Sequence, residues 1–527
     1  MNRFNPRCAA LLACLCLTAA LSGCGVNPVT GKKELQFVSE ASELQTGQQN
    51  YGPTRQGEGG DFNLDPELTS YINEVGQKLA AVSDRKLPYE FVVLNSSVPN
   101  AWALPGGKIA VNRGLLPELK NESELAAVLG HEIVHAAARH GAKAQERGTL
   151  MQVGLMAATV GAAVADVNGG LANMAIQGAG MGAQMVQMKY GRDQELEADH
   201  YGMEYMKRAG YDLNGAVTLQ QTFVRLSQGQ GNQNWLQGMF ASHPPSAERV
   251  AKNVATKAEL GGGTGDVGAE RFAAKMVALR KMKPAYDKYD QAMVAANKKD
   301  LVTARKLAGE AVQLVPREAR FTQLLGDIAM AQKQPAEAVT SYQKAISLDA
   351  NYYAPYLGGG IAQFKLGNKA KAEEWLKKSA SLLPTAPAAY YLGNLAKERG
   401  DTAGAKQMYQ AAASSQSEYG QMAAGEFQRM DMAQNPGQYI ATAVKQDGAG
   451  RVYFALQNRA QVTVSNLQIV PVRLDANGQI AQQGEARLLH ATLKPGETMT
   501  VDAGLPVMSA EQVASLAVRV SAAQVVE

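Results

Sequence analysis

The sequence predicts a multidomain, mainly α protein with three folded parts: an α+β domain, an α-solenoid of paired helices and a small β-sandwich. Three observations support this prediction. The 527 residues exceed the usual length of one domain, and the hydrophobic fraction of 46% is typical of globular chains. Small residues recur about every 34 positions in the second half of the chain. Near the C-terminal end, apolar residues change from helical spacing to alternation.

The charge and the cysteines exclude several classes of protein. The formal net charge is +4 and no long basic run occurs, so no nucleic-acid partner is expected. All four cysteines lie within the first 24 residues. This placement excludes a disulfide framework and a cysteine-ligated zinc finger in the rest of the chain.

Residues 1–23 are expected to be a signal peptide, with two arginines before an uncharged apolar stretch that is too short to span a membrane. The run Leu21-Ser22-Gly23-Cys24 resembles the bacterial lipobox. This resemblance implies cleavage before Cys24, lipidation of that cysteine and stable membrane anchoring. Gly25 follows where an aspartate would suggest the inner membrane, so the outer membrane, facing the periplasm, is expected. An ordinary signal peptide cleaved elsewhere is the alternative.

The α+β domain is predicted from helical and strand patterns. Apolar residues at three- and four-residue steps predict a helix from Pro66 to Val82, and residues 89–94 are rich in β-forming side chains. Residues 99–111, with Pro105-Gly106-Gly107 in the middle, predict strand–turn–strand. A second helix is expected over 121–142, because Asn121 and Glu124 form a start like a capping box.

The segment 149–188 is rich in glycine, alanine and methionine. It is predicted either to be a lid or membrane-contacting hairpin, or to be two closely packed helices. Polar amides interrupt its apolar runs, which disfavours a transmembrane pair.

From near residue 284, four repeat units follow one another at spacings of 34, 34 and 33 residues, with small residues at corresponding positions. Their period and small positions resemble the tetratricopeptide repeat, although the usual tryptophan is absent. Such arrays form a curved solenoid that binds peptides or proteins. After Asn435, alternating apolar residues between turns predict the small β-sandwich. The predicted boundaries are 1–23 signal peptide, 24–62 tether ending in a short helix, 63–260 α+β domain, 261–283 linker, 284–430 solenoid and 437–527 β-domain.

The run His131-Glu132-Ile133-Val134-His135 carries the clearest chemical signal. Histidines four residues apart lie on one helix face, where they can share one metal ion. Glu132 is adjacent to that face and is expected to be the general base, accepting a proton from the attacking water and delivering it to the leaving amine.

A zinc hydrolase needs a third protein ligand and an open fourth position. Ala138 and Gly141 stand where the extended metzincin motif has glycine and histidine, which excludes that subclass. An acidic ligand from a later helix is therefore expected. Glu195 and Asp199 are four residues apart, so one can bind the metal while the other holds a ligand histidine. By spacing alone, Glu197 is an equally good ligand.

The HExxH motif, the distant Glu-x-x-Ala-Asp segment and the upstream Pro-Gly-Gly turn resemble the HtpX-type gluzincin metallopeptidases. The lipobox and the repeats make the chain most similar to the periplasmic BepA- and LoiP-type proteases of that family. The resemblance covers roughly residues 35–255 and 284–420. The transmembrane helices of HtpX proteins have no counterpart in this sequence, and the C-terminal β-domain lies outside the family pattern.

The resemblance implies one Zn²⁺ per chain and a role for each matching residue. The implied zinc ligands are His131, His135 and Glu195, with Glu132 as general base and Asp199 holding a ligand histidine. The implied substrate-pairing strand contains Asn100, Ala101 and Trp102. His243 matches a family histidine near the metal, where it could cap the open position or stabilise the oxyanion. An exposed loop histidine is the alternative for His243, and His140 and His200 are expected to be structural.

The expected function is that of a zinc-dependent metalloendopeptidase, lipid-anchored at the periplasmic face of the outer membrane. It would act in quality control or assembly of outer-membrane proteins, with the repeats bringing unfolded substrates and assembly machinery. The alternative is a non-proteolytic assembly factor with a latent zinc site. Hydrolysis of glycans has no support, because that reaction uses two paired carboxylates and the sequence shows no such pair away from the zinc motif.

Overall fold

The computed structural model describes residues 24–144, 146, 189–230 and 238–526. These residues form two compact units, one ending at Leu383 and the other beginning at Pro384. The predicted signal peptide and the segment 149–188 lie outside the described residues. No helix within the described residues is both long enough and apolar enough to cross a membrane.

Residues 24–62 are folded, although the sequence predicted a tether. Strands β1 (Cys24–Val26) and β2 (Lys33–Leu35) form an antiparallel hairpin, and helix α1 (Glu40–Gly57) follows. The buried Glu43 of α1 pairs with Arg85 and Arg139 at 2.9 Å each. Long-range ion pairs of this kind leave no periodic signal in the sequence, so local patterns do not reveal that this segment is folded.

A three-stranded sheet lies at the centre of the first domain. Strands β3 (Glu90–Leu94), β4 (Ala101–Leu104) and β5 (Lys108–Asn112) are arranged in the order β3-β5-β4. Strand β5 is parallel to β3 and antiparallel to β4, and the turn between β4 and β5 confirms the predicted strand–turn–strand. Helix α2 (Pro66–Ala80) covers the sheet with its apolar face. Gly106 and Gly107 both adopt φ of 79°, a conformation that favours glycine.

Helix α3 (Glu122–Ala137) begins as predicted, because the Asn121 side chain accepts a hydrogen bond from the Glu124 N–H at 2.9 Å. It ends five residues earlier than the predicted end at 142. Arg139 adopts φ of 62°, and its guanidinium donates to Glu43 at 2.9 Å and to Gln36. These contacts to a distant segment end the helix, and a new helical stretch begins at His140.

Helix α4 (Arg192–Arg208) packs closely against α3. A Cβ atom on Gly202 would lie 3.0 Å from the backbone nitrogen of His131, and a Cβ atom on Gly130 would lie 3.0 Å from the Gly202 carbonyl oxygen. Glycines at this crossing therefore allow the two helices that carry the predicted ligands to approach each other.

The described part of the domain contains four more α-helices: α5 (Asn214–Arg225), α6 (Met239–Ser242), α7 (Ala247–Glu259) and α8 (Ala269–Lys275). The structure differs from the predicted linker at 261–283. Phe272 and Met276 are fully buried in the main core, and Arg271 pairs with the buried Glu122. The glycine run at 261–263 forms only a short connection before α8.

The repeat region consists of successive helix pairs, as predicted, but its first helix begins at Val277 rather than near 284. Small residues at the predicted helix crossings, such as Ala304, Ala338, Ala372 and Ala405, are fully buried. In the first unit the helices are α9 (Val277–Asn297), α10 (Leu301–Leu314), α11 (Ala319–Ala331), α12 (Pro335–Leu348), α13 (Tyr353–Lys365) and α14 (Lys369–Leu382). In the second unit they are α15 (Ala386–Glu398), α16 (Thr402–Ala413) and α17 (Glu418–Asp431).

We expect Gly326→Ala to lower the free energy of unfolding by about 1–2 kcal/mol, because overpacking outweighs the better helix propensity of alanine. The new Cβ atom would lie 2.8 Å from the buried ring of Tyr342, whose hydroxyl donates to Asp327. Gly309→Ala is the matched control, since nothing lies within 4 Å of its Cβ position. Thermal unfolding should show a lower melting temperature for the first variant and an equal or higher one for the control. Equal melting temperatures for both variants would contradict this packing account.

The helix pairs of the first unit contact the peptidase-like domain directly. Glu318 is buried and accepts hydrogen bonds from Asn95 at 3.0 Å and from the Tyr286 hydroxyl. The guanidinium of Arg113 lies 3.4 Å from the centre of the Tyr286 ring. The domain and its first repeats therefore share a polar, buried joint that no local motif indicated.

The C-terminal part of the second unit is mainly β. Its elements are α18 (Pro436–Tyr439), β6 (Ile440–Gln446), β7 (Val452–Asn458), β8 (Val464–Leu474), β9 (Ile480–Gln483), β10 (Arg487–Leu493), β11 (Thr498–Asp502), α19 (Ala510–Ala514) and β12 (Leu516–Val525). The strands form two antiparallel sheets, in the orders β11-β7-β6 and β10-β8-β12, with β9 beside β8. Apolar residues from both sheets, including Phe454 and Leu467, form one core.

Candidate metal centre

Four buried side chains from three elements converge on one point. His131 and His135 come from α3, Glu195 from the first turn of α4 and His243 from the residue after α6. One nitrogen or oxygen atom of each lies within 4.8 Å of the others. The two Nε2 atoms of His131 and His135 are 2.9 Å apart, as their spacing of one helical turn predicts.

The ring nitrogen of His131 that points away from the converging group is held by the carboxylate of Asp199. Its Nδ1 atom lies 2.9 Å from Asp199 Oδ1, and Asp199 in turn accepts two hydrogen bonds of 2.7 Å from Arg249. Arg249 also pairs with Glu195 at 2.6 Å. Burial alone would raise the pKa of Asp199, but the charge and hydrogen bonds of Arg249 outweigh it and hold the pKa below its usual range. Asp199 thus remains anionic and orients the ring of His131.

The outer nitrogen of His135 is held by a different group. Its Nδ1 atom lies 2.8 Å from Nδ1 of His140, so one of the two rings donates and the other accepts. Nε2 of His140 lies 3.3 Å from Glu197, which also accepts a hydrogen bond of 2.9 Å from the Asn27 side chain. Glu197 therefore lies outside the converging group, whereas Glu195 lies within it.

Glu132 is fully buried beside this group, and neither of its carboxylate oxygens has a hydrogen-bond partner among the described residues. The nearest ring nitrogen, Nε2 of His243, lies 3.6 Å away. Burial raises the pKa of the Glu132 carboxyl above its usual range. A buried carboxyl without a partner is costly, and it indicates a proton-carrying or ligand-binding role rather than a structural one.

The donor set fits a zinc ion. Two imidazoles present Nε2 inward while their Nδ1 atoms are engaged outward, and Glu195 adds an oxygen donor. Burial holds the pKa of His135 well below its usual range, so the ring is neutral, which is the form that binds metals. Burial alone would raise the pKa of Glu195, but the charges of His243 and Arg249 hold it well below the usual range, so this donor is anionic.

His243 is only 4% exposed, so the alternative of an exposed loop histidine is wrong. Its Nδ1 atom lies 2.9 Å from Glu195. Its backbone N–H donates to Met239 at 2.7 Å, and the Met239 N–H donates to the Pro99 carbonyl just before β4. His243 is thus tied through α6 to the strand that was predicted to pair with substrate.

Strand β4 lies at the edge of the sheet beside α3. The Asn100 carbonyl accepts from the Asn112 N–H at 2.8 Å, so by alternation Trp102 also bonds to β5. The main-chain groups of Ala101 and Ala103 therefore point toward the outer edge. The Trp102 ring packs edge-on against Tyr51, with centroids 6.3 Å apart, so it supports the strand rather than reaching toward the metal group.

Three site residues were missed in the sequence: Arg249, His140 and Tyr190. The Tyr190 ring stacks on His135 with centroids 3.8 Å apart. His140 was assigned a structural role, and its contact with His135 depends on the break at Arg139. Arg249 follows the Ser-His-Pro-Pro run in an ordinary helix start, and nothing in that pattern signals a buried charge.

We expect His140→Ala to weaken zinc binding about 10- to 100-fold, because His135 would lose the partner that holds its ring. Zinc affinity measured by competition with a chromogenic chelator tests this expectation. His200→Ala is the control, since His200 lies on α4 but bonds to Thr256 at 3.1 Å, away from the group. Equal affinities for both variants would show that His140 does not support the site.

Residues 66–256 match peptidase family M48, and residues 319–352 match a tetratricopeptide repeat. The chain is 32% identical over 230 residues to the mitochondrial metalloendopeptidase OMA1 of Schizosaccharomyces pombe, covering 43% of this chain and 64% of that protein. It is 28% identical over 314 residues to the beta-barrel assembly-enhancing protease of Yersinia pestis, covering 54% and 62%.

A third relative is covered more completely. The metalloprotease YcaL of Escherichia coli K12 is 31% identical over 192 residues, which are 35% of this chain and 70% of that protein. The chain spans less than two thirds of the length of the OMA1 and assembly-enhancing relatives. The shared region holds the HExxH helix, the Glu195 helix and His243. The chain therefore belongs to peptidase family M48, with a metallopeptidase domain at residues 66–256 that is followed by tetratricopeptide repeats.

Proposed function

We propose that the chain is a zinc-dependent endopeptidase, held by lipid at the periplasmic face of the outer membrane, that acts in quality control or assembly of outer-membrane proteins. The family and the donor set support the peptidase activity. The lipobox at Cys24 supports the lipid anchor. Relatives named beta-barrel assembly-enhancing protease support the class of substrate.

The observation that carries the proposal is the buried carboxyl of Glu132 beside His131, His135 and Glu195, which has no hydrogen-bond partner among the described residues. Two imidazoles and a carboxylate would hold a zinc ion here, and the ion would supply Lewis-acid chemistry that polarises a carbonyl and lowers the pKa of water. Glu132 accepts a proton from the attacking water and delivers it to the leaving amine, and its raised pKa suits a group that must both take and give a proton.

The substrate would bind as an extended segment along β4. The outward main-chain groups of Ala101 and Ala103 would pair with it, which makes recognition independent of side-chain sequence. His243 faces the same space and would donate a hydrogen bond to the developing oxyanion. Selection would then favour unfolded segments, because a folded protein seldom offers a free extended strand.

The repeats would bring such substrates, or parts of the outer-membrane assembly machinery, to the peptidase domain. Tetratricopeptide solenoids present extended binding surfaces to partner proteins. The buried joint around Glu318 fixes the first repeats to the domain, so a partner bound there would stay at a constant distance from the metal group.

The proposal is tested with the purified mature chain and casein as an unfolded substrate. We expect cleavage, its loss after zinc removal by a chelator, and its recovery when Zn²⁺ is returned. Sucrose-gradient fractionation of cells should place the chain with outer membranes, and Cys24→Ala should release it. A chain that holds zinc but never cleaves casein would contradict the peptidase activity, and an unchanged distribution of Cys24→Ala would contradict the anchor.

The position of His243 favours a second candidate, a non-proteolytic assembly factor with a latent zinc site. Its ring supplies a fourth donor to the group, which would fill the position that a zinc hydrolase keeps open. Complementation separates the two functions. If Glu132→Gln fully restores the envelope barrier of a deletion strain, the proteolytic role is secondary; if only the parent restores it, proteolysis is the main task.

A further inference from the structure

The N-terminal hairpin has an unusual distribution of apolar and polar residues. Across the hairpin Cys24 pairs with Leu35, and Val26 pairs with Lys33. Side chains at paired positions share one face of a two-stranded sheet. Val26 is 53% exposed, Leu35 57% exposed and the nearby Phe37 52% exposed. One face of the hairpin therefore presents large apolar side chains outward.

The opposite face is polar and docks on the peptidase domain. Asn27 is fully buried and donates to Glu197 at 2.9 Å. Glu34 pairs with Lys143 at 2.6 Å, and Gln36 accepts a hydrogen bond from Arg139. A hairpin with one solvated face normally turns its apolar side chains inward. Here the arrangement is reversed, so the apolar face requires a partner other than water.

We propose that this apolar face, made of Val26, Leu35 and Phe37, rests on the surface of an anionic lipid bilayer. The face includes Leu35, the register partner of Cys24, where we propose lipid attachment. Two residues of extended chain span at most about 7 Å, so a lipid on Cys24 would hold Val26 at the membrane interface.

The charges beside the face fit the same partner. Lys32 and Lys33 are exposed at the start of β2, whereas the acidic Glu34 is neutralised by Lys143. Lysines next to apolar side chains are typical of interfacial membrane binding, because the amines meet anionic headgroups while the apolar groups enter the acyl boundary.

The proposal changes how the anchor is understood. A flexible tether would let the domain move freely above the membrane, whereas a docked hairpin holds the domain against it. Through Asn27 the hairpin contacts Glu197, which bonds to His140 beside the ligand His135. The metal group would then lie close to the bilayer, facing polypeptide segments that emerge at the membrane surface.

Vesicle binding by the mature chain without its lipid tests the proposal. In a Cys24→Ser background, we expect co-sedimentation with vesicles of phosphatidylethanolamine and phosphatidylglycerol. The triple variant Val26→Ser/Leu35→Ser/Phe37→Ser should bind about 10- to 100-fold more weakly. Val277→Ser/Val302→Ser/Leu314→Ser is the matched control, because these residues are exposed on the solenoid, at 63%, 79% and 53%, and it should bind as the parent does.

A site-specific label locates the contact. All four cysteines lie within the first 24 residues, so Leu35→Cys in the mature Cys24→Ser chain carries a single thiol. An environment-sensitive dye on it should shift to the blue on adding vesicles, and the same dye at Val302→Cys should not. Lys32→Gln/Lys33→Gln should reduce binding to these vesicles but not to vesicles of phosphatidylcholine.

Three results would overturn the proposal: equal binding by the two triple variants, no spectral shift at position 35, or a shift that follows protein concentration without vesicles. The last result, with a dimer that the hairpin triple variant lacks, would identify a second copy as the partner. The proposal rests on the lipid attachment proposed at Cys24, but this experiment uses the unacylated chain and measures no proteolysis. A failure of vesicle binding is therefore distinguishable from a failure of the peptidase activity or of lipidation.

Discussion

Replacement of Glu132 by glutamine is expected to reduce casein cleavage by about 10²- to 10⁴-fold while zinc stays bound. Glutamine keeps the size of the side chain but cannot accept and return a proton. The proposed ligands His131, His135 and Glu195 are unchanged, and the Glu132 carboxylate has no hydrogen-bond partner within the described residues, so the substitution breaks no hydrogen bond. Activity and metal content should therefore separate in this variant.

Zinc stoichiometry by atomic spectroscopy and casein cleavage should be measured on the same preparation. Glu259→Gln is the control, because Glu259 is the exposed last residue of α7 and should leave both quantities unchanged. Cleavage by Glu132→Gln at the parental rate would assign the proton transfer to another group.

Glu195→Gln is expected to lose zinc and, with it, casein cleavage. The carboxylate is the single anionic donor in the converging group, and an amide oxygen is a far weaker zinc ligand. The change also removes one of the two carboxylates that neutralise the buried Arg249. Leaving a buried charge less compensated destabilises the fold, so a lower melting temperature is expected as well.

The matched control is Glu197→Gln, two residues further along α4. Glu197 accepts hydrogen bonds from His140 and Asn27, and a glutamine oxygen can still accept them, so zinc should be retained. Retention of zinc in Glu195→Gln together with its loss in Glu197→Gln would move the third ligand to position 197.

Local patterns predicted much of the fold. The Asn121 cap, the strand–turn–strand around Pro105 and the paired helices of the repeats all depend on residues close together in the chain. Each leaves a periodic or positional signal, because capping, turn geometry and helix packing act over a few residues or over a constant repeat.

The wrong predictions share another origin. The segments 24–62 and 261–283 were expected to be a tether and a linker, yet both are folded onto the domain. They are held by ion pairs such as Glu43 with Arg139 and Arg271 with Glu122, whose partners are about 100 or more residues apart. Their glycine-rich and polar composition resembles that of linkers, and the ion pairs that hold them leave no local signal in the sequence.

The residues of the metal group also differ in whether local sequence or tertiary structure brings them together. The sequence by itself places His131 and His135 together, with Glu132 beside them, because one turn of helix brings the two imidazoles onto one face whatever surrounds them. Spacing left Glu195 and Glu197 equivalent, and the family resemblance favoured Glu195 and His243. The tertiary structure brings these two side chains to the histidine pair, adds Arg249, and joins His140 to His135. These contacts join separate elements, and their distances depend on how helices cross and where α3 ends, which no spacing along the chain encodes.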